Sequence, residues 1–170
     1  MTQAEAVATL DEGQARLDAL LSRLEDAEVE EPATIGGGDW SARDLLAHIA
    51  FWEELALEAA AEWRAGRVPS IEAVFREKRV DTLNADNQQR SRDLTLAGVR
   101  ERVAAAHLAL RSLVSDMSAS EWTARAIYQT ERRQSLGMML GAITGAPRRG
   151  FGHAFAHLPD LEAYATALGR

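Results

Sequence analysis

Apolar residues recur at helical spacing in four segments of this 170-residue chain. The first segment covers roughly residues 3–28, and its apolar stripe predicts an amphipathic helix. The stripe contains Val7, Leu10, Leu17, Leu21 and Leu24. Gln14 falls in the same stripe, where a polar residue lies either at the boundary of the buried face or against a polar pocket.

A loop and a strong start signal precede the second helix. Residues 29–39 contain a proline and three consecutive glycines, which predicts a loop. Ser41 and Asp44 then form a capping-box pattern, in which two side chains satisfy free backbone N–H groups at the helix start. The second apolar stripe begins at Leu45, and Gly66 ends it. The pattern therefore predicts a long helix that begins just after Ser41.

The chain between the second and third helices is polar and largely aperiodic. Over residues 67–95, Ser70 is a candidate cap for a short helix, and the remainder predicts a long crossover that can include some helix. A third amphipathic helix is predicted over about 96–117. Ser118 then repeats the Ser-x-x-Glu cap signal, and residues 123–134 are irregular, with room for extended structure.

The last apolar segment begins near Ser135 and is disturbed by two prolines. We expect Pro147 either to kink this helix or to occupy the first turn of a new one, and Pro159 to interrupt the pattern that resumes after it. The sequence has no strand pattern and no internal repeat. Four main helices predict an all-α four-helix bundle, a single domain over residues 1–170 with a long crossover between its second and third helices.

Composition narrows the class of protein. With 46% apolar and 26% charged residues, the chain is typical of a globular protein. No apolar run approaches the ~20 residues that a membrane span needs, so no membrane partner is expected. The N-terminal segment lacks the features of a signal peptide, so a cytoplasmic protein is the default expectation. The absence of cysteine excludes disulfides and a cysteine nucleophile, and any reactive thiol must come from a ligand.

The net charge of −7 argues against nucleic acid as a partner, because a phosphate-binding surface needs clustered Lys and Arg. Basic residues are scattered, with short pairs at Arg132–Arg133 and Arg148–Arg149. Such pairs allow a local anion-binding patch, although solvated surface is the default interpretation. We therefore predict a small-molecule substrate and no nucleic-acid partner.

Three of the four histidines fall where a metal site would need them. His153 and His157 lie one helical turn apart on the same side of a helix, and His48 lies in the apolar stripe of the second helix. Three neutral imidazoles leave a divalent ion with its full charge and an open coordination position, which is typical of catalytic rather than structural sites. Zn²⁺ suits three histidines, and Ni²⁺ or Fe²⁺ accepts them with added waters.

An alternative interpretation needs no metal. A single histidine on an apolar stripe is most often an ordinary core or boundary residue, and a spacing of four between two histidines also arises by coincidence. The fourth histidine, His107, lies beside the inward stripe of the third helix. We expect it at a boundary or exposed position rather than in the metal site.

Two stretches resemble a known family. "GDWSARDLLAHIAFWEE" resembles the second-helix signature of the DinB/YfiT-like superfamily, in which Trp-Ser/Thr-x-x-Asp-Leu-x-x-His carries the first metal histidine. "HAFAHLPDLEAY" is similar to the superfamily's late His-x-x-x-His pair, and the closer similarity is to its ClbS/DfsB branch. The resemblance implies an up-down-down-up four-helix bundle with His48, His153 and His157 as metal ligands at one end of a pocket.

The resemblance also sets the functional hypothesis, because several proteins of this superfamily are metal-dependent transferases that attach low-molecular-weight thiols to small electrophiles. A divalent ion (Zn, Ni or Fe) would activate a thiol or water, so the protein would be a thiol S-transferase or a detoxifying hydrolase. Trp52 and Gln14 are expected to line the pocket, with core packing as an equal alternative for Trp52. The alternative is a non-catalytic bundle that binds or sequesters a small molecule around a vestigial or structural metal site. A homodimer is compatible with either function.

Overall fold

The structure, a computed structural model, describes residues 1–36, 38–126 and 134–170. Within these ranges the chain forms nine helices: α1 (Gln3–Leu21), α2 (Asp26–Glu30), α3 (Ala42–Arg64), α4 (Ser70–Arg76), α5 (Val80–Ser91), α6 (Leu96–Asp116), α7 (Ala119–Thr123), α8 (Leu136–Ile143) and α9 (His153–Ala167). Extended pairing in the described residues is confined to isolated bridges. The predicted all-α fold class is confirmed.

The four long helices α1, α3, α6 and α9 form an up-down-down-up bundle. The first halves of α3 and α6 share one core cluster and their second halves share another, so these two helices run parallel. The first half of α1 lies in the second cluster and its last turns lie in the first, so α1 runs antiparallel to both. Helix α9 packs along α1 and also contacts α3. Parallel α3 and α6 require the long crossover that the sequence predicts.

The predicted first helix is in fact two helices. Helix α1 ends at Leu21, and a separate short helix, α2, begins after Glu25 because Glu25 and Glu28 form a capping box of their own. The start of α3 is as predicted: the Ser41 hydroxyl accepts a hydrogen bond from the Asp44 N–H at 3.1 Å, and the reciprocal bond to the Asp44 carboxylate is 3.0 Å.

The crossover is more helical than its sequence predicts. Helix α4 begins at Ser70 but its N-cap is Pro69, so the prediction that Ser70 caps this helix is wrong. The polar stretch after it forms the 12-residue helix α5. The sequence of α5 has no apolar stripe from which a helix could be predicted. The residues that α5 buries are the polar Asn87 and Ser91, and polar groups of α5 contact α3. Asn84, for example, accepts a hydrogen bond from the Trp52 indole at 3.1 Å.

The two prolines of the last segment behave differently from the prediction. Pro147 neither kinks a helix nor begins one; it lies in the turn of residues 144–152 that separates α8 from α9. Pro159 does not interrupt α9, which continues through it. A proline removes one intrahelical hydrogen bond, and burial of Leu158 and Leu161 against the bundle holds the helix on both sides of that gap.

Part of the predicted irregular segment lies outside the described residues. An antiparallel bridge between Arg125 and Ser135 supports the predicted extended structure at its edges, whereas residues 127–133, which include the Arg132–Arg133 pair, lie outside the described residues. In the part of the chain that the structure describes, no helix combines the length and apolar character that a membrane span requires.

Candidate metal centre

Helix α3 brings His48 into the bundle interior. His48 follows the Ser41–Asp44 capping box by one turn and is 5% exposed, so the prediction that it faces inward is confirmed. The Trp40 ring packs beside it with a centroid separation of 4.9 Å, and the centre of the Trp52 ring lies 6.3 Å from the centre of the His48 ring. One ring from just before α3 and one ring from α3 itself therefore lie near the imidazole.

The turn of residues 144–152 fixes where α9 begins. The His153 N–H donates to the Thr144 carbonyl at 3.0 Å, and the Phe151 N–H donates to the Gly141 carbonyl at 3.3 Å. Phe151 adopts a left-handed conformation with φ of 59°, which costs a non-glycine residue about 1 kcal/mol. The strained turn places His153 at the first position of α9, next to α3.

A close approach of α1 to α9 holds the new helix in place. Gly13 is buried in α1, and a Cβ added there would lie 3.2 Å from both the Ala154 Cβ and the Phe155 ring. Those two residues directly follow His153. The absent side chain of Gly13 therefore allows the two helices to pack closely at the level of the histidines.

The three histidines converge through the same ring nitrogen. The distance between His48 Nε2 and His153 Nε2 is 3.1 Å, and the distance between His157 Nε2 and His153 Nε2 is also 3.1 Å. One nitrogen from each residue lies within 4.8 Å of the other two. Two ligands 2.0–2.1 Å from a shared ion are about 2.9 Å apart at right angles and about 3.3 Å apart in a tetrahedron. We call His48, His153 and His157 the triad. Two of the Nε2–Nε2 distances in the triad therefore match the distance between two ligands of one shared ion.

Burial keeps the triad uncharged. Desolvation lowers the pKa of His48 from 6.5 to about 3, with a further contribution from the nearby His157. Desolvation, together with the charges of the two neighbouring histidines, holds the pKa of His153 well below its usual range. Burial also lowers the pKa of His157, and the Asp160 carboxylate opposes that shift. Neutral imidazoles have a free lone pair, which is the form that binds a cation.

The Nδ1 atoms of the triad lie on the other side of each ring from the converging Nε2 atoms. His48 Nδ1 and His153 Nδ1 are buried, and neither has a hydrogen-bond partner among the described residues. If Nε2 of each ring faces an ion, Nδ1 carries the proton and needs an acceptor. The donor set thus fits a divalent ion, while the usual outer hydrogen bonds that orient metal-bound histidines are not made by direct protein contacts at these two rings.

An aromatic wall borders the triad on the crossover side. The Trp52 ring lies 6.0 Å from the His153 ring and stacks on Phe75 of α4 at 6.2 Å. The Asn84 side chain of α5 fixes the indole N–H of Trp52. Trp52 was predicted as a pocket wall; the structure places it beside the triad, and its contact with a substrate stays a prediction.

A second group of ionisable side chains includes two residues, Glu53 and His107, that line a small cavity together with His153. We call Asp11, Glu53, His107 and Arg111 the carboxylate cluster. His107 Nδ1 is 3.5 Å from Glu53 Oε1 and His107 Nε2 is 3.8 Å from Asp11 Oδ1, while Arg111 donates to Asp11 at 2.7 Å. The His107 side chain is 14% exposed, which confirms its predicted boundary position.

Gln14 lies between two cavities. A cavity of about 10 Å³ is lined by Gln14, Glu53, His107, Thr144 and His153 among others. A larger cavity of about 480 Å³ opens between α1 and α6, and Gln14 and His107 line this one too. The Gln14 amide donates to Asp18 at 2.8 Å within α1. The predicted pocket position of Gln14 is thus next to a cavity, and its role in binding stays a prediction.

The basic pair Arg148–Arg149 is only partly free. Arg149 donates to Glu12 at 3.0 Å, and its guanidinium carbon lies 3.5 Å from the centre of the Phe155 ring. Arg148 is exposed. One of the two charges is therefore used to fasten the turn of residues 144–152 to α1 rather than to attract a ligand.

Comparison with known proteins identifies the family. The family model of the DinB superfamily matches residues 9–158, so this chain belongs to the DinB superfamily. A crystal structure of an uncharacterised protein from Escherichia coli UTI89 is similar over 99% of this chain and 95% of that one, with a TM-score of 0.79 and 16% identity. The crystal structure of the colibactin self-resistance protein ClbS in complex with a double-stranded DNA is similar over 95% and 96%, with a TM-score of 0.75 and 18% identity. A comparison with curated protein sequences finds no match.

The comparison with ClbS overturns one prediction. Net charge and scattered basic residues led us to exclude nucleic acid as a partner, yet ClbS, which shares this fold, is seen with double-stranded DNA. The prediction that excluded nucleic acid is wrong. Net charge describes the whole surface of a protein, and it does not show whether one face of a protein with this fold binds DNA.

Two residues near the triad, Glu53 and Asn84, were not predicted from the sequence. Glu53 is 6% exposed, and its Oε2 has no hydrogen-bond partner among the described residues. Its position four residues after the inward Ile49 was the available signal, because an acidic residue at a buried helical position needs a reason. Asn84 lies in α5, for which the sequence has no apolar stripe, so nothing in the sequence pointed to it.

Proposed function

We propose that His48, His153 and His157 hold a divalent metal ion and that the protein uses it to activate a thiol or water against a small electrophile. The observation that carries the proposal is the convergence of three buried or partly buried Nε2 atoms with two separations of 3.1 Å. Three neutral imidazoles in contact have no reason to share lone-pair directions unless a cation or a proton lies between them.

The ion, when bound, supplies Lewis acidity and lowers the pKa of a coordinated water or thiol. Zn²⁺ is the first expectation, with Ni²⁺ or Fe²⁺ as alternatives. The protein contributes three uncharged ligands, which leave the positive charge of the ion available to an anionic nucleophile. Helix α9 begins at His153, and the positive end of its helix dipole favours an anion near the triad.

The surroundings of the triad support reactions that exclude bulk water. Trp40 and Trp52 lie against His48, and Phe75 stacks on Trp52 from the crossover. A small electrophile next to such rings would be held by apolar contact, which orients the reacting carbon without competing for the ion. The thiol must be a separate low-molecular-weight molecule, because the chain has no cysteine.

Metal analysis of tag-free protein is the first test. We expect close to one equivalent of a divalent metal per native chain, and almost none in a variant with His48, His153 and His157 all changed to Gln. A His107→Gln variant is the comparison, because it removes one imidazole from outside the triad. Less than about half an equivalent in the native protein, unchanged in the triple variant, would contradict the proposal.

Turnover separates an enzyme from a binder. Metal-loaded protein is mixed with a small thiol and a chromogenic electrophile, and the rate is compared with that of chelator-treated protein. A metal-dependent rate supports a transferase, and metal-dependent loss of electrophile without added thiol supports a hydrolase. Binding of the electrophile with no rate above that of metal-free protein would favour the alternative, a non-catalytic bundle that sequesters a small molecule. The single domain, the homodimer and the cytoplasmic location stay predictions.

A second candidate function is binding of double-stranded DNA, and the observation that favours it is the ClbS complex. Fluorescence anisotropy of a labelled duplex, titrated with metal-loaded protein at low and at physiological salt, tests it. Electrostatic phosphate contacts predict binding that weakens steeply as salt increases. No change in anisotropy at low salt and micromolar protein would remove this candidate.

A further inference from the structure

Two buried polar atoms without partners lie next to one small cavity. Glu53 Oε2 and His153 Nδ1 are both buried, and neither has a hydrogen-bond partner among the described residues. Both residues line the cavity of about 10 Å³ between α1, α3, α6 and α9. Because Nε2 of His153 faces the triad, Nδ1 is the ring nitrogen left for the cavity side.

The cavity has the size and the lining for one water molecule. About 10 Å³ is the lower end of the space that a single buried water needs, together with two to four polar partners. Besides Glu53 and His153, the lining includes the polar side chains of Gln14, His107 and Thr144. The remaining lining residues, such as Leu10 and Ile49, close the cavity with apolar groups.

The hydrogen-bonding roles of the two unpartnered atoms are complementary. A His153 ring that offers its Nε2 lone pair to an ion carries its proton on Nδ1 and is therefore a donor there. An ionised carboxylate is an acceptor, and Glu53 Oε1 already faces His107 at 3.5 Å, which leaves Oε2 for the cavity. One water can accept from His153 and donate to Glu53, so that both buried groups are satisfied.

We infer that Glu53 is a positioning residue of the metal centre, which holds the His153 ring through one buried water. This inference rests on the proposed function, because it supplies the carboxylate–histidine–metal arrangement that orients metal-bound histidines. His107 and Asp11 extend the arrangement from Glu53 toward the surface, where Arg111 pairs with Asp11. The carboxylate cluster is thus the outer support of the triad rather than a separate site.

Zinc affinity of Glu53→Gln tests the inference. Zn²⁺ is titrated alone into native protein, E53Q and E54Q, in competition with a chromogenic chelator. E54Q is the matched control, because it removes the same charge one residue later from a side chain that pairs with Arg102 instead. We expect E53Q to bind Zn²⁺ about 10- to 100-fold more weakly, the range typical for loss of an outer-shell partner, and E54Q to stay within about twofold of native.

A second readout reports the hydrogen bond itself. In zinc-loaded native protein the Nδ1 proton of His153 should give a resolved, slowly exchanging NMR signal, and in E53Q this signal should be lost or exchange rapidly. A crystal structure of the native zinc form should show one water within about 3.2 Å of both Glu53 Oε2 and His153 Nδ1. These two measurements on the native protein decide the inference even if E53Q does not fold.

The outcomes separate this inference from the proposed function. If native protein binds none of Zn²⁺, Ni²⁺ and Fe²⁺, the proposed function and this inference fail together. If native protein binds Zn²⁺ but E53Q binds it as tightly as E54Q does, only the role of Glu53 is overturned. A dry cavity, or a His153 Nδ1 proton that exchanges as freely as a surface imidazole, overturns it equally.

Discussion

The bundle contains two histidine environments that border one water-sized cavity, and they differ in what surrounds the imidazole. In the triad, His153 has two other imidazoles at 3.1 Å and aromatic rings around them. In the carboxylate cluster, His107 has Glu53 on one ring nitrogen and Asp11 on the other, at 3.5 and 3.8 Å. Both environments are built from facing helices of the same core.

The difference teaches that burial alone does not decide what an imidazole in this bundle can hold, because the neighbouring groups decide it too. Carboxylates beside His107 supply negative charge to both of its nitrogens, so this ring needs no external ion. The triad has no carboxylate at its convergent nitrogens, and its lone pairs face one another, which leaves a space that a cation fills. If the comparison is correct, the two environments respond differently to substitution, to acid and to displacement of α9.

The largest expected effect on Zn²⁺ affinity comes from replacing one histidine in each of the two environments. His153→Gln should weaken Zn²⁺ binding more than about 100-fold, because it removes a ligand rather than an outer partner. His107→Gln should weaken it less than about tenfold, since His107 acts on the triad only through Glu53. Competition with a chelator of known affinity measures both. Equal losses in the two variants would break the comparison.

Acid should destabilise the metal-free protein through the triad. The folded-state pKa of His48 is about 3 against 6.5 in the unfolded chain, so the unfolded state binds more protons and stability falls as the pH drops below 6.5. For His48 alone this amounts to about 2 kcal/mol between pH 8 and pH 5. His153 and His157 shift in the same direction.

Urea unfolding of chelator-treated protein at pH 8 and pH 5 measures that loss. His48→Leu is the control, because it keeps an apolar group in the core and removes the His48 contribution. The free energy of unfolding of this variant should fall less between the two pH values than that of native protein. An identical pH dependence would place the acid-sensitive groups outside the triad.

Displacement of α9 should affect the triad more than the carboxylate cluster, whose members lie on α1, α3 and α6. Gly13→Leu would overfill the contact where a Cβ already meets Ala154 and Phe155 at 3.2 Å, and overpacking of this kind costs about 1–3 kcal/mol. We expect Zn²⁺ affinity to fall by roughly tenfold as the start of α9 moves away from α3. Gly98→Ala, where the nearest atom to the added Cβ is Thr95 Oγ1 at 3.4 Å, serves as control and should leave the affinity within about twofold.

The smallest effect on stability is expected from a substitution in the turn of residues 144–152, which precedes α9. Arg148 is exposed with φ of 68°, so Arg148→Gly should relieve backbone strain and stabilise the protein by about 0.5–1 kcal/mol. Zn²⁺ affinity should not change, because the side chain is outside both environments. Thermal unfolding and the chelator assay check the two statements. A loss of zinc affinity would show that the arginine side chain, rather than the backbone path, holds the turn.

Local features of the structure were predictable from a few residues, whereas several details that depend on packing between distant segments were not. Ser41 and Asp44 predict the start of α3 correctly, because a capping box is encoded within four residues. The crossover was predicted to include some helix, but the extent of α5 was not predicted, because α5 buries Asn87 and Ser91 instead of an apolar stripe. The prediction that Pro159 interrupts the last helix was wrong, because the burial of α9 compensates for the hydrogen bond that a proline removes. Burial depends on the whole bundle and not on the residues around the proline.

The candidate site shows the same limit. The spacing of His153 and His157 and the inward position of His48 suggested a common point, and the structure brings one nitrogen of each together. The spacing of Glu53 from the inward Ile49 is the only local feature that distinguishes it from Glu54; in the structure Glu53 is buried, whereas Glu54 pairs with Arg102 near the surface. The neighbouring helices α1 and α6, distant in sequence, decide which of the two carboxylates faces the cavity.

The place of the triad along the chain has a consequence for how the protein matures. His48 belongs to the second long helix and the other two histidines belong to the last one, so their contact spans 105 residues. A chain still being synthesised carries His48 as a lone imidazole on an unfinished core until α9 is made and docks on α1. Metal capture would then be a final event, and its completion would mark chains whose last helix has been made and packed.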